Sequence, residues 1–126
     1  MCILSCNNLT TNVYDDMYNK ELLPINDQLH LLCGGNTTVY LVSSFGSDFG
    51  GALNGTYLDL LRMTIPDAWF YAGEQTQTFQ TNTPLRRVVF RVAGWPNNFN
   101  DDFLSFEDPD SGNPADIIFR DRRVTP

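Results

Sequence analysis

Apolar positions along the chain come in short runs cut by turn residues, and no long stripe of 3.6-residue period runs through it. This pattern predicts an all-β chain, mostly an antiparallel sandwich or barrel, with at most one or two short helices. The strongest strand is read over 85–93. Its alternation sets Val88, Phe90 and Val92 on one face and Arg87, Val89 and Arg91 on the other. A last strand is read over 115–122, with Ile117 and Phe119 on one face and Ile118, Arg120 and Arg122 on the opposite one. Gly34-Gly35-Asn36, between apolar runs at 29–33 and 37–43, is the strongest hairpin signal. Helix is expected near 15–23 or 57–65, where Leu58, Leu61 and Ile65 have helical spacing. Residues 44–55, rich in Gly and Phe, read as a loop, and the alternating run from Gln75 to Thr81 as an exposed or edge strand.

The 126 residues are 42% hydrophobic and 13% aromatic, enough for one compact β-rich domain over 1–126 with a real core. A net charge of -7 argues against nucleic acid as the main partner, because phosphate binding needs a positive field. No apolar run approaches the ~18 residues of a membrane helix, so no membrane partner is expected. The first residues, Met1-Cys2-Ile3-Leu4-Ser5-Cys6, lack the basic segment and long apolar run of a signal peptide. A cytoplasmic product is the expectation, with a virion as its alternative destination.

Charge changes the picture further. Residues 1–60 carry one base, Lys20, against six acids, whereas all seven arginines fall in 61–126. Arginine supplies planar, bidentate donors suited to interfaces. If the apolar faces of the two confident strands enter one core, Arg87, Arg91, Arg120 and Arg122 line the outer sheet face as a basic patch. Carboxylates of a protein partner, or of another copy of the chain, would suit that patch. Phe45 and Phe49 in the Gly-rich loop are further interface candidates.

The inventory for catalysis is thin. His30 is the sole histidine, and Ser47 in Phe45-Gly46-Ser47-Asp48 lacks the spacing of a nucleophile elbow. No enzyme and no cofactor are therefore expected. Three cysteines leave no closed disulfide framework, and on one strand Cys2 and Cys6 would stand about 13 Å apart, too far to bridge. Cys2, Cys6, His30 and Cys33 have the ligand types of a structural zinc site but loose spacing. Asp108, Asp110, Gly112 and Asp116 hint at a calcium loop without its full pattern. The leading expectation is a structural or interaction protein docking onto a larger assembly, of the type of a phage virion accessory (capsid cement or decoration, or head-tail completion), and homo-oligomeric or part of that assembly. The alternative is a small carbohydrate- or ligand-binding β-module in which Trp69, Tyr71 and Trp95 stack on a sugar.

Overall fold

The uninterrupted, strongly β-forming run Val88-Val89-Phe90 suits a strand buried on both faces, and it lies in the middle strand of the sheet. A computed structural model of the chain describes residue 10 and residues 31–37, 39, 43–55, 62–77, 88–102 and 117–124. Strands β1 (Leu31–Gly35), β2 (Val88–Gly94) and β3 (Ile118–Val124) form an antiparallel sheet in the order β1-β2-β3. Phe90 stands opposite Gly35 on one side and Arg122 on the other, and Arg91 stands opposite Gly34 and Asp121. Opposed residues share a face. One face therefore carries Leu31, Cys33, Val88, Phe90, Val92, Arg120, Arg122 and Val124, and the other carries Leu32, Val89, Arg91, Ala93, Phe119, Asp121 and Arg123. Beyond β1 the Asn36 N–H donates to the Val89 carbonyl (2.9 Å), and the Thr37 hydroxyl accepts from the Val89 N–H (2.9 Å). A side chain thus continues the ladder after the backbone has turned away.

Helices α1 (Phe45–Asn54) and α2 (Ile65–Gln77) span 10 and 13 residues, and a 3-10 turn over Pro96–Asn100 adds 5. Against strands of 5, 7 and 7 residues, helix outweighs strand among the described residues. The chain mixes α and β, and the all-β expectation is wrong.

The stretch expected to be a loop is α1. Its glycines, Gly46, Gly50 and Gly51, each cost about 1 kcal/mol in a helix relative to alanine. Phe45, Asp48 and Ala52 are nonetheless buried and Phe49 half-buried, the i, i+3, i+4, i+7 stripe of an amphipathic helix. Burying one large apolar side chain returns about 1.5–3 kcal/mol, which offsets the weak propensity. Gly55 ends the helix at φ 69, where its N–H reaches the Gly51 carbonyl (2.9 Å).

Thr64 starts α2. Its hydroxyl accepts from the Asp67 N–H (3.3 Å), its carbonyl takes the Ala68 N–H (2.9 Å), and Pro66 sits in the first turn. Residues 62–64 are not helical, so the expected helix over 57–65 does not extend through them, while 15–23 and 57–61 lie outside the described residues. The edge strand read over 75–81 is also corrected: Gln75, Thr76 and Gln77 form the last turn of α2, and 78–81 lie outside the described residues. Gly34 and Gly35 are strand residues paired with β2, not the turn of a local hairpin.

The helices pack on the Phe90 face of the sheet. Phe45 stacks on Phe90 (centroids 5.9 Å, 21°), and Trp69 meets Phe45, Phe49 and Phe90 edge-on at 4.8, 5.5 and 6.1 Å. Each such pair adds about 0.5–1.5 kcal/mol beyond the area it buries. The buried Trp69 indole N–H donates to the Gly34 carbonyl (3.2 Å), tying α2 to β1. The Ile65 N–H to Asp101 carbonyl bond (2.8 Å) ties the start of α2 to the end of the 3-10 turn. Among the described residues no helix is long and apolar enough to cross a membrane.

Candidate docking edge and adjoining cleft

The register divides the arginines expected to share a face. Arg91 lies on the face of Asp121, whereas Arg120 and Arg122 lie on the helix-covered face with Val92 and Phe90. The expectation put Phe119 in the core and set Arg120 and Arg122 beside Arg91. The true pairing exchanges the two faces of β3, as any odd shift of register does. Arg87 lies outside the described residues.

Each of these arginines is stacked on a ring. Arg91 lies over Phe119 (4.7 Å), Arg120 over Phe99 (4.5 Å) and Arg122 over Phe70 (5.5 Å). Arg91, 11% exposed, is also gripped by both oxygens of Asp121, with Nε donating to Oδ1 (2.7 Å) and Nη2 to Oδ2 (3.0 Å). Arg122 Nη1 donates to Glu74 Oε1 (2.6 Å), and both side chains are partly exposed. Arg120 and Arg123 have no carboxylate partner among the described residues.

Among the described residues β3 lies at the outer side of the sheet, with β2 as its neighbour, and six of its seven residues are exposed. Ile118 and Phe119 are the large apolar side chains exposed among the described residues. Phe45, by contrast, is buried in the core, and the half-buried Phe49 packs edge-on against Trp69.

Beside β3 runs a cleft of about 240 Å³ lined by Met63, Asp67, Phe70, Tyr71, Glu74 and Arg122. The first five follow one another at i, i+4, i+7, i+8 and i+11, one stripe of α2 and the coil before it. Arg122 reaches over from β3 to close one side. Phe70, buried at 3%, is the floor, and Asp67 is an exposed carboxylate with no hydrogen bond or ion pair to its side chain among the described residues. Sequence reasoning missed Met63, Asp67, Phe70 and Glu74 as a set. Their helical spacing was readable, but only after Thr64-Ile65-Pro66-Asp67 is recognised as a helix start.

The sugar-binding alternative does not assemble as expected. Trp69 and Trp95 are buried, and Tyr71 reaches the cleft without them. Of the zinc candidates, Cys33 is buried on β1, while Cys2, Cys6 and His30 lie outside the described residues, as do the calcium-loop residues 108–116. Among the described residues no three His, Cys, Asp or Glu side chains cluster as metal ligands.

No curated protein and no solved structure matches the chain. One family model, that of the domain of unknown function DUF6345, matches residues 1–122. That span is nearly the whole sequence, and the chain belongs to the DUF6345 family.

Proposed function

We propose that this chain is a protein-docking module that receives an extended polypeptide segment along the outer edge of β3, as a component of a larger assembly. The role is binding rather than catalysis. The observation that carries the reading is the exposure of six of the seven β3 residues, with Ile118 and Phe119 among them. An edge strand presents a row of backbone donors and acceptors that templates another strand, and proteins ordinarily shorten, cover or kink such edges.

Charge selects the occupant. Arg120 and Arg123 project from β3 without carboxylate partners among the described residues, so an incoming strand bearing acidic residues is favoured. A second copy paired about Asp121 would set Asp121 against its own counterpart and Arg120 against the counterpart of Arg122. Like charges directly opposed destabilise a strand pair. The occupant we propose is a segment of a different chain, and self-association of the protein through β3 would overturn that choice.

The test uses the peptide acetyl-Thr-Val-Thr-Val-Glu-Val-Thr-amide and its counterpart with lysine in place of glutamate. Hydrogen exchange should show the β3 amides protected by the glutamate peptide and less so by the lysine one. Arg120→Glu with Arg123→Glu should reverse that preference. Absence of β3 protection by either peptide, or an unchanged preference in the double variant, overturns the proposal.

A further inference from the structure

The cleft beside β3 has a selectivity of its own. We infer that it takes a lysine or arginine side chain of the docked segment, placed two residues before an acidic one; this rests on the docking reading above. Two carboxylates, Asp67 and Glu74, face one guanidinium, that of Arg122, in a cleft floored by Phe70 and flanked by Met63 and Tyr71. Glu74 is already engaged by Arg122 at 2.6 Å, whereas the Asp67 carboxylate has no partner among the described residues. A long basic side chain lays its alkyl stem along apolar surface and carries its charge to a carboxylate at the rim. The aromatic faces of Phe70 and Tyr71 add attraction for a cation.

Other occupants fare worse. An apolar side chain would cover the Asp67 carboxylate with nothing to replace its water. An acidic one would meet two like charges. The preference therefore follows from what the cleft would leave unsatisfied.

The register then fixes where the basic residue falls. Arg122 and Arg120 are two apart on the helix-covered face of β3. In a strand added antiparallel to β3, the residue opposite Arg122 is on the cleft side, and the residue two later stands opposite Arg120. On the cleft side Glu74 already offsets the Arg122 charge, and Asp67 draws the base past it. The cleft takes the base and Arg120 takes the acid, which makes the recognised order basic, any residue, acidic.

Three peptides test this on the full chain. The first is acetyl-Thr-Val-Lys-Val-Glu-Val-Thr-amide, the second replaces its lysine with norleucine, and the third exchanges the lysine and glutamate. By fluorescence anisotropy the first should bind on the order of fivefold tighter than either of the others, the scale of one well-placed exposed ion pair. Asp67→Asn should erase the advantage over the norleucine peptide, because the amide offers no charge to the lysine and costs less to cover than a carboxylate. The Asp67 side chain makes no bond within the fold among the described residues, and the norleucine comparison on the unaltered chain does not depend on the variant folding. Equal affinity of all three peptides, with β3 amides still protected, overturns this inference alone. Failure of every peptide to protect β3 overturns the docking reading beneath it.

Discussion

Gly73 of α2 rests directly on the ring of Phe90 in β2. A Cβ at position 73 would lie 2.6 Å from both Cδ2 and Cε2 of that ring, closer than carbon atoms approach without displacement. The glycine sets the distance between helix and sheet. Helix propensity alone would make Gly73→Ala stabilising by about 1 kcal/mol. Overpacking against a buried ring costs about 1–3 kcal/mol, so a net loss is expected in urea unfolding. Phe90→Leu should cost stability singly but make the glycine substitution less harmful in the double variant. A stabilised Gly73→Ala protein would show that the helix moves off the sheet at no cost.

Trp69 joins the helix layer to β1 through the indole bond to Gly34. Trp69→Phe keeps most of the apolar volume but leaves that carbonyl short of a donor. The expected loss is about 1 kcal/mol for the hydrogen bond, with a further packing term from the smaller ring. Unchanged unfolding would mean that the carbonyl is satisfied another way.

Thr64 caps α2 through its hydroxyl. Thr64→Ala should destabilise by about 1 kcal/mol, and Thr64→Ser should retain most of that. Chemical denaturation followed by circular dichroism distinguishes the two. Equal loss in both variants would assign the effect to the threonine methyl rather than to the cap.

Arg91 and Asp121 form a two-pronged pair across β2 and β3. A double-mutant cycle with Arg91→Met and Asp121→Asn should give a coupling of about 0.5–1 kcal/mol, because Asp121 remains partly exposed. Arg91→Lys should not restore it, since an ammonium lacks the planar fork. Full rescue by lysine would reduce the contact to simple charge attraction.

Arg120 and Arg123 differ from Arg91 in being exposed and free of carboxylate partners among the described residues. Reversing Arg123 should change folding stability by less than about 0.5 kcal/mol, whereas Arg120→Glu also gives up the stacking on Phe99 and should cost about 0.5–1 kcal/mol. Binding of the glutamate peptide should in turn weaken as salt rises, because exposed charges are screened. Salt-independent binding would locate the affinity in the strand backbone alone.

Much of the sheet was legible in the chain. The run around Val88, Phe90 and Val92 is β2, and the strand expected over 115–122 is β3 displaced toward its C-terminal end. Alternation of side chains is a local property, and β-branched residues announce it directly. The apolar reading of Leu31, Leu32 and Cys33 likewise identified β1, although not its partner.

The helices were less legible. In α1 the stripe Phe45, Asp48, Phe49, Ala52 was present in the sequence, but its glycines spoke for a loop. Only the burial of those rings against Trp69 and Phe90 makes helix the better state there. In α2 the cap Thr64-Ile65-Pro66-Asp67 was a readable start, masked by the alternating polar residues of its last turn.

By itself, the sequence determined which short segments prefer extended backbone, where the arginines concentrate, and that the molecule is acidic. These follow from bonds and periodicities within a few residues. The tertiary structure decided which face of β3 meets the helices, that Gly34 and Gly35 pair with β2, and that Met63, Asp67, Phe70, Tyr71, Glu74 and Arg122 share one cleft. Those outcomes depend on register and on contacts between residues some 50 positions apart, such as Glu74 with Arg122 at a separation of 48. A shift of one residue in pairing exchanges every face, and the choice rests on how Gly73, Trp69 and Phe90 fit together rather than on any local preference.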